Sequence, residues 1–140
     1  MSKPRMKIRH VILCDDVRRE DNGKLLAIGV YPKDIVFSKL PADFALTVWL
    51  ETQQEELGEI PFNLRGHMGN ADEVLFELRG TAKVAKVQPY AQFIVGFPML
   101  IGSEGDLIIE FRQHDDDWEE LRRMPVIKMP ISSSAQKQPA

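Results

Sequence analysis

The side chains able to do chemistry are few and scattered along the chain. Cys14 is the lone cysteine, and the histidines are His10, His67 and His114. A thiolate nucleophile needs an imidazole within hydrogen-bond reach to take its proton. His10 lies four residues from Cys14 on what reads as one strand, a separation of roughly 13 Å. The two cannot meet directly, so a nucleophilic site would need His67 or His114 brought in by the fold. The plainer reading of Cys14 is a small, semi-buried apolar side chain. No serine stands in a Gly-x-Ser-x-Gly elbow, and the nearest approach, Ile101-Gly102-Ser103-Glu104-Gly105, has the composition of a hairpin turn.

Carboxylates offer a second chemistry. Asp115, Asp116 and Asp117, joined by Asp15, Asp16 or Asp72, could supply oxygen ligands to a calcium ion at one end of a β-sandwich. The spacing of a calcium loop is absent, and a solvated hairpin tip explains the same three residues. There is no zinc motif, and Ala27-Ile28-Gly29-Val30 belongs to a strand rather than to a phosphate-cradling turn before a helix. No cofactor is expected. Arg18, Arg19, Glu20, Asp21 and Lys24 could meet an acidic partner, although alternating signs at a hairpin end pair with one another in solvent.

An apolar feature is the better lead. Phe93, Val95, Phe97, Met99 and Ile101 would form one face of a strand, while Ile94 and Leu100 load the other. Pro98 marks that strand as an edge or a bulge. An edge with outward Ile94 and Leu100 must be covered by its own chain or by another, which points to a protein partner or a homo-oligomer. A central strand buried on both faces is the competing reading. Trp118, at a predicted loop tip, is either an interface anchor or a side chain folded back on the sheet.

The elements that must position these residues read as strands. β-Branched and aromatic runs recur about every eight to twelve residues between Gly, Pro, Asn and Asp, the spacing of an all-β sandwich or barrel. Lys7 to Val17 leads to Asn22-Gly23, a pair suited to a type I′ turn, and Lys24 to Tyr31 returns antiparallel. A tight turn sets Asp21 opposite Lys24 and Val17 opposite Ile28, placing Val11, Leu13, Val17, Leu26, Ile28 and Val30 on one core face. Asp15 would then share that face beside Val30, so a bulge is expected there to turn it out.

Asp34 to Ser38 reads as a third short strand, and Phe44 to Glu51 as a central one with apolar groups on both faces. Ile60 to His67 follows, broken by Gly66, Gly69 and Asn70, and Val74 onward is the next strand. Leu107 to Gln113 puts Leu107, Ile109 and Phe111 inward. Residues 117–124 fit either a strand or one helical turn, and Pro125 favours the strand.

The whole is 140 residues with 18 basic and 21 acidic side chains, a formal charge of −3. One domain spanning 1–131 is expected, with 132–140 a disordered polar tail. Folding a chain of this size buries about two-thirds of its surface, enough for a core without staples. Scattered Lys and Arg give no electrostatic footprint for nucleic acid. The longest nearly uncharged run, Ala91 to Ser103, is too short for a membrane helix, which needs about 20 residues. The basic start, Met1 to Arg9, precedes too short an apolar stretch for a signal peptide, and the lone cysteine fits a reducing compartment; the cytoplasm is expected.

The segment Leu13-Cys14-Asp15-Asp16-Val17-Arg18-Arg19-Glu20-Asp21-Asn22-Gly23-Lys24, followed by Ile28-Gly29-Val30-Tyr31, resembles an uncharacterised bacterial family, a domain of unknown function. The resemblance covers most of the chain but is distinctive only in this hairpin. It implies a small bacterial cytoplasmic protein and brings no catalytic residues. The sequence therefore predicts an immunoglobulin-like antiparallel β-sandwich of about seven to nine strands, acting as a binding or assembly module. The rivals are a metal-dependent binder or enzyme using the acidic loop ends, and a sensor with a small-molecule pocket between its sheets.

Overall fold

In a computed structural model, residues 3–69 and 73–129 are described. Nine strands form two sheets packed as a sandwich. The first sheet is ordered β2-β1-β4-β7, from Leu25–Val30, Lys7–Arg19, Ala42–Gln54 and Gln88–Ile101. The second is ordered β3-β9-β8-β5-β6, from Ile35–Phe37, Glu119–Lys128, Gly105–Gln113, Gly58–Met68 and Val74–Val84. Residues 119–124 belong to β9, the strand that Pro125 favoured, whereas 117 and 118 precede it. The expected tail 132–140 and the candidate Asp72 lie outside the described residues.

Alternation dictates the layering. Leu46, Val48 and Leu50 of β4 point inward with Leu13 of β1, and meet Ile60 and Leu64 of β5, Leu107, Ile109 and Phe111 of β8, and Met124 and Val126 of β9. The side chains between them point out, which is what a period of two requires. Arg122 of β9 donates from Nη1 to the Val11 carbonyl of β1 at 3.0 Å, tying the sheets together. One pairing departs from the antiparallel expectation. β3, which lies in the connection between β2 and β4 of the first sheet, runs parallel to β9.

The first hairpin corrects the sequence reading. Its turn is not the two-residue type I′. Glu20 N donates to Lys24 O at 2.8 Å and Gly23 N to Glu20 O at 2.9 Å, closing a three-residue loop with Gly23 at φ +85°. Such a loop is a type I turn followed by a left-handed residue. The extra residue shifts the register, so Val17 faces Ala27 and Arg18 faces Leu26. A one-residue slip exchanges faces. Leu26, Ile28 and Val30 accordingly stand exposed on the outer side instead of joining Leu13 in the core.

No bulge forms at Asp15. Cys14 pairs with Val30 and Asp16 with Ile28, one continuous register, and the irregularity in β1 falls between Ile8 and His10. Asp15 avoids burial differently: it is exposed, and its carboxylate lies over Gly29. The β5–β6 register shifts between Gly66 and His67, so Gly66 perturbs β5 without ending it. It sits within the strand, and a Cβ there would lie 2.2 Å from the Phe76 ring, which itself stacks on Phe97 with centroids 4.0 Å apart.

The end of the sandwich beside β8 and β9 is closed by the N-terminal segment. Met6 N donates to Gln113 Oε1 at 2.6 Å, and Gln113 Nε2 returns a bond to Met6 O at 2.9 Å. A buried glutamine is thereby satisfied on both atoms of its amide, as burial demands. His114 Nε2 lies 2.7 Å from the Pro4 carbonyl.

Candidate interaction edge

β7 is positioned by β4 along nearly its whole length, from Ala42 opposite Ile101 to Gln54 opposite Gln88. Its other side has no strand, since β7 ends the sheet. The odd residues Phe97, Met99 and Ile101 are buried, whereas Leu100 is 56% exposed on the opposite face. Ile94 sits on that same outer face, in register with Trp49, which is in register with Ile12. Trp49 Nε1 donates to Gln92 Oε1 at 2.5 Å, and Gln92 Nε2 donates to Glu51 Oε1 at 3.0 Å. These bonds fix the outer face around Ile94, which is left half-buried.

Sheet edges invite other strands, and folded proteins guard them with charge, brevity or local distortion. Three of the four edges here carry such guards. β3 spans Ile35–Phe37 alone, and β2 is short and interrupted by Gly29 at φ +67°. β6 carries Glu77, Arg79 and Lys83. β7 differs: no charged side chain stands between Lys86 and Glu104. Its only guards are Pro89 and Pro98, which remove two N–H donors. Tyr90, 66% exposed near its start, joins this surface and was not singled out from the sequence. The pattern Gln-Pro-Tyr before an apolar strand carries its signal only in retrospect, because exposure depends on which strand ends the sheet.

The other candidate residues are dispersed. Trp118 is half-buried and folded back on the second sheet against two guanidiniums: Arg65 Cζ lies 3.9 Å and Arg112 Cζ 4.6 Å from its ring centroid. Arg65 Nε also donates to Glu110 Oε1 at 2.9 Å. His67 Nε2 lies 2.9 Å from the same oxygen without making a hydrogen bond to it. Trp118 thus caps a charged cluster rather than standing free.

Asp116 pairs with Arg5, whose hydrogen bond holds its carboxyl below the usual range, while Asp115 and Asp117 are exposed. Asp15 accepts from the Tyr31 hydroxyl and Asp16 from Arg18 Nε at 3.3 Å. Among the described residues, no group of three or more His, Cys, Asp or Glu is arranged to hold a metal ion. Cys14 is fully buried, its Sγ 3.4 Å from the Asp16 carbonyl, and burial pushes its thiol pKa up. Such a thiol is a poor nucleophile.

Between the sheets, Met6, Val48, Leu50, Phe62, Leu64, Phe93 and Phe111 enclose an apolar cavity of about 20 Å³. A drug-sized ligand needs about 300 Å³ or more, far above the volume of this cavity. Among the described residues, no helix is long and apolar enough to cross a membrane. Comparison with protein-family models and with curated proteins gives no match to this chain.

Proposed function

We propose that this protein is a non-catalytic binding or assembly module that works through the free edge of β7. One observation carries the reading: β7 is the sheet edge whose exposed flank bears no charge from Val87 to Ser103, with Leu100 exposed and Ile94 half-covered on its outer face. An extended segment adding to that edge gains main-chain hydrogen bonds from the strand and contact with the outer apolar row. The acidic loop supports less, because the Asp116 carboxylate is already engaged by Arg5. The lone buried cysteine and the resemblance of the first hairpin support a bacterial cytoplasmic setting for this activity.

The test is capture of partners by the tagged protein from a native extract, beside an Ile94→Asp, Leu100→Asp variant shown by circular dichroism to stay folded. A near-stoichiometric partner present with the natural sequence and absent with the variant is the expected outcome. Identical partner sets for the two proteins would overturn the assignment to β7.

A further inference from the structure

We infer that the segment added to β7 is β7 of a second copy of this chain, paired antiparallel about a two-fold axis centred on Ile94. The inference rests on the reading that the β7 edge is the working surface, and it names the occupant.

The direction of the backbone groups comes first. Pro98 lies inside the paired stretch, opposite Ala45. A paired proline leaves its ladder intact only when its nitrogen points to the free side. Backbone direction alternates along a strand, so Gly96, Ile94 and Gln92 also aim their N–H and C=O groups away from β4. An independent contact agrees: the carbonyl of Ala91, of the opposite parity, lies on the β4 side and accepts from Thr52 Oγ1 at 3.2 Å. The free edge therefore presents the donors and acceptors of Gln92, Ile94 and Gly96, in a window bounded by Pro89 and Pro98.

A two-fold axis through Ile94 uses that window fully. Ile94 meets Ile94 of the second copy and exchanges two bonds with it, while Gln92 meets Gly96 in both directions, about six backbone hydrogen bonds in all. Moving the axis by two residues along the strand sets the Pro98 ring, which lacks an N–H, directly opposite Ile94 of the second copy, or brings the irregular stretch between Thr52 and Gln54 into the pairing. Charge favours a self-pair in particular. In an isologous interface every side chain meets its own neighbourhood reversed, so any like charge would be doubled. The run from Val87 to Ser103 has none to double. The joined sheet would have eight strands, with Ile12, Trp49 and Ile94 of each copy in one outer row across the axis. Strand pairing of this length buries less than the about 1,200 Å² of a standard stable interface, so the dimer forms weakly and reversibly.

The experiment is sedimentation of the full chain from about 1 to 100 µM, alongside Ile94→Lys and Ile94→Asp, each checked for folding by circular dichroism. The natural sequence should pass from monomer to dimer over that range. Each variant alone opposes two like charges at the axis and should dimerise at least tenfold more weakly, whereas an equimolar mixture should recover a heterodimer through the Lys and Asp pair. A natural sequence that dimerises while the mixture stays monomeric overturns the Ile94 axis. A natural sequence that stays monomeric throughout overturns the second copy as occupant, and the capture experiment above then decides separately whether the β7 edge binds a different chain.

Discussion

Asp15, Gly29 and Tyr31 show how three residues of the distinctive first hairpin depend on one another. Gly29 has φ +67°, and a Cβ there would lie 2.3 Å from Asp15 Oδ2. Only glycine gives both the left-handed backbone and the space. Asp15 then accepts from the Tyr31 hydroxyl, while its own carbonyl accepts from Thr47 Oγ1 at 3.2 Å. Burial, followed by the hydrogen bond to Asp15 and its negative charge, raises the Tyr31 phenol above its ordinary value of 10.0. The sign of the consequence follows. The folded state holds the proton more tightly than the unfolded state, so the stabilisation is complete below pH 10 and declines as pH rises above it. Denaturant titrations at pH 8 and pH 10.5 should show the natural sequence losing more stability than Tyr31→Phe over that interval. At pH 8 the phenylalanine variant should be less stable by about 0.5–1.5 kcal/mol through the lost hydrogen bond. The sequence marked these residues as characteristic of a hairpin. It could not say what joined them, because Asp15 and Tyr31 meet only after the strands have paired.

At the scale of the element, strand identity was legible and register was not. Alternation in Phe44 to Glu51 and Leu107 to Gln113 identifies β4 and β8 and their inward residues. In the first hairpin the same alternation admits two registers, and the choice belongs to the loop. Three residues rather than two put Leu26 at 47% exposure. Gly66 was read as a break because glycine weakens strands. The pairing with β6 does shift register between Gly66 and His67, and the absent side chain admits the Phe76 ring, a contact between residues of neighbouring strands that no local pattern displays. Gly66→Ala should therefore overpack this site and cost about 1–3 kcal/mol, whereas Gly102→Ala, with no atom within 4 Å of the new methyl, should lie within about 0.5 kcal/mol of the natural sequence. Chemical denaturation of the two variants in parallel checks the contrast.

On the scale of the whole molecule, two sheets of unequal strand number share a core whose filled centre leaves a cavity of about 20 Å³ at one side. Leu46 is fully buried in β4, the strand between β1 and β7. Leu46→Ala should cost about 2–5 kcal/mol in urea unfolding, the usual range for a core site that collapses only in part. The candidate edge shows where legibility stops. Ile94, Leu100 and Pro98 were marked in the sequence as an edge or a doubly buried strand, and both readings fit the same residues. Trp118 likewise fitted an exposed anchor or a ring folded back, and only the fold sets it against Arg65 and Arg112. By itself the sequence determined the class of fold, most of the strands and which side chains alternate inward, because hydrophobic period is a local property of the chain. The tertiary structure alone decided which strand ends each sheet, the register of the first hairpin and the parallel pairing of β3 with β9. Those depend on contacts between residues far apart in the chain, and backbone hydrogen bonds, which carry no side-chain identity, do not announce their partners beforehand.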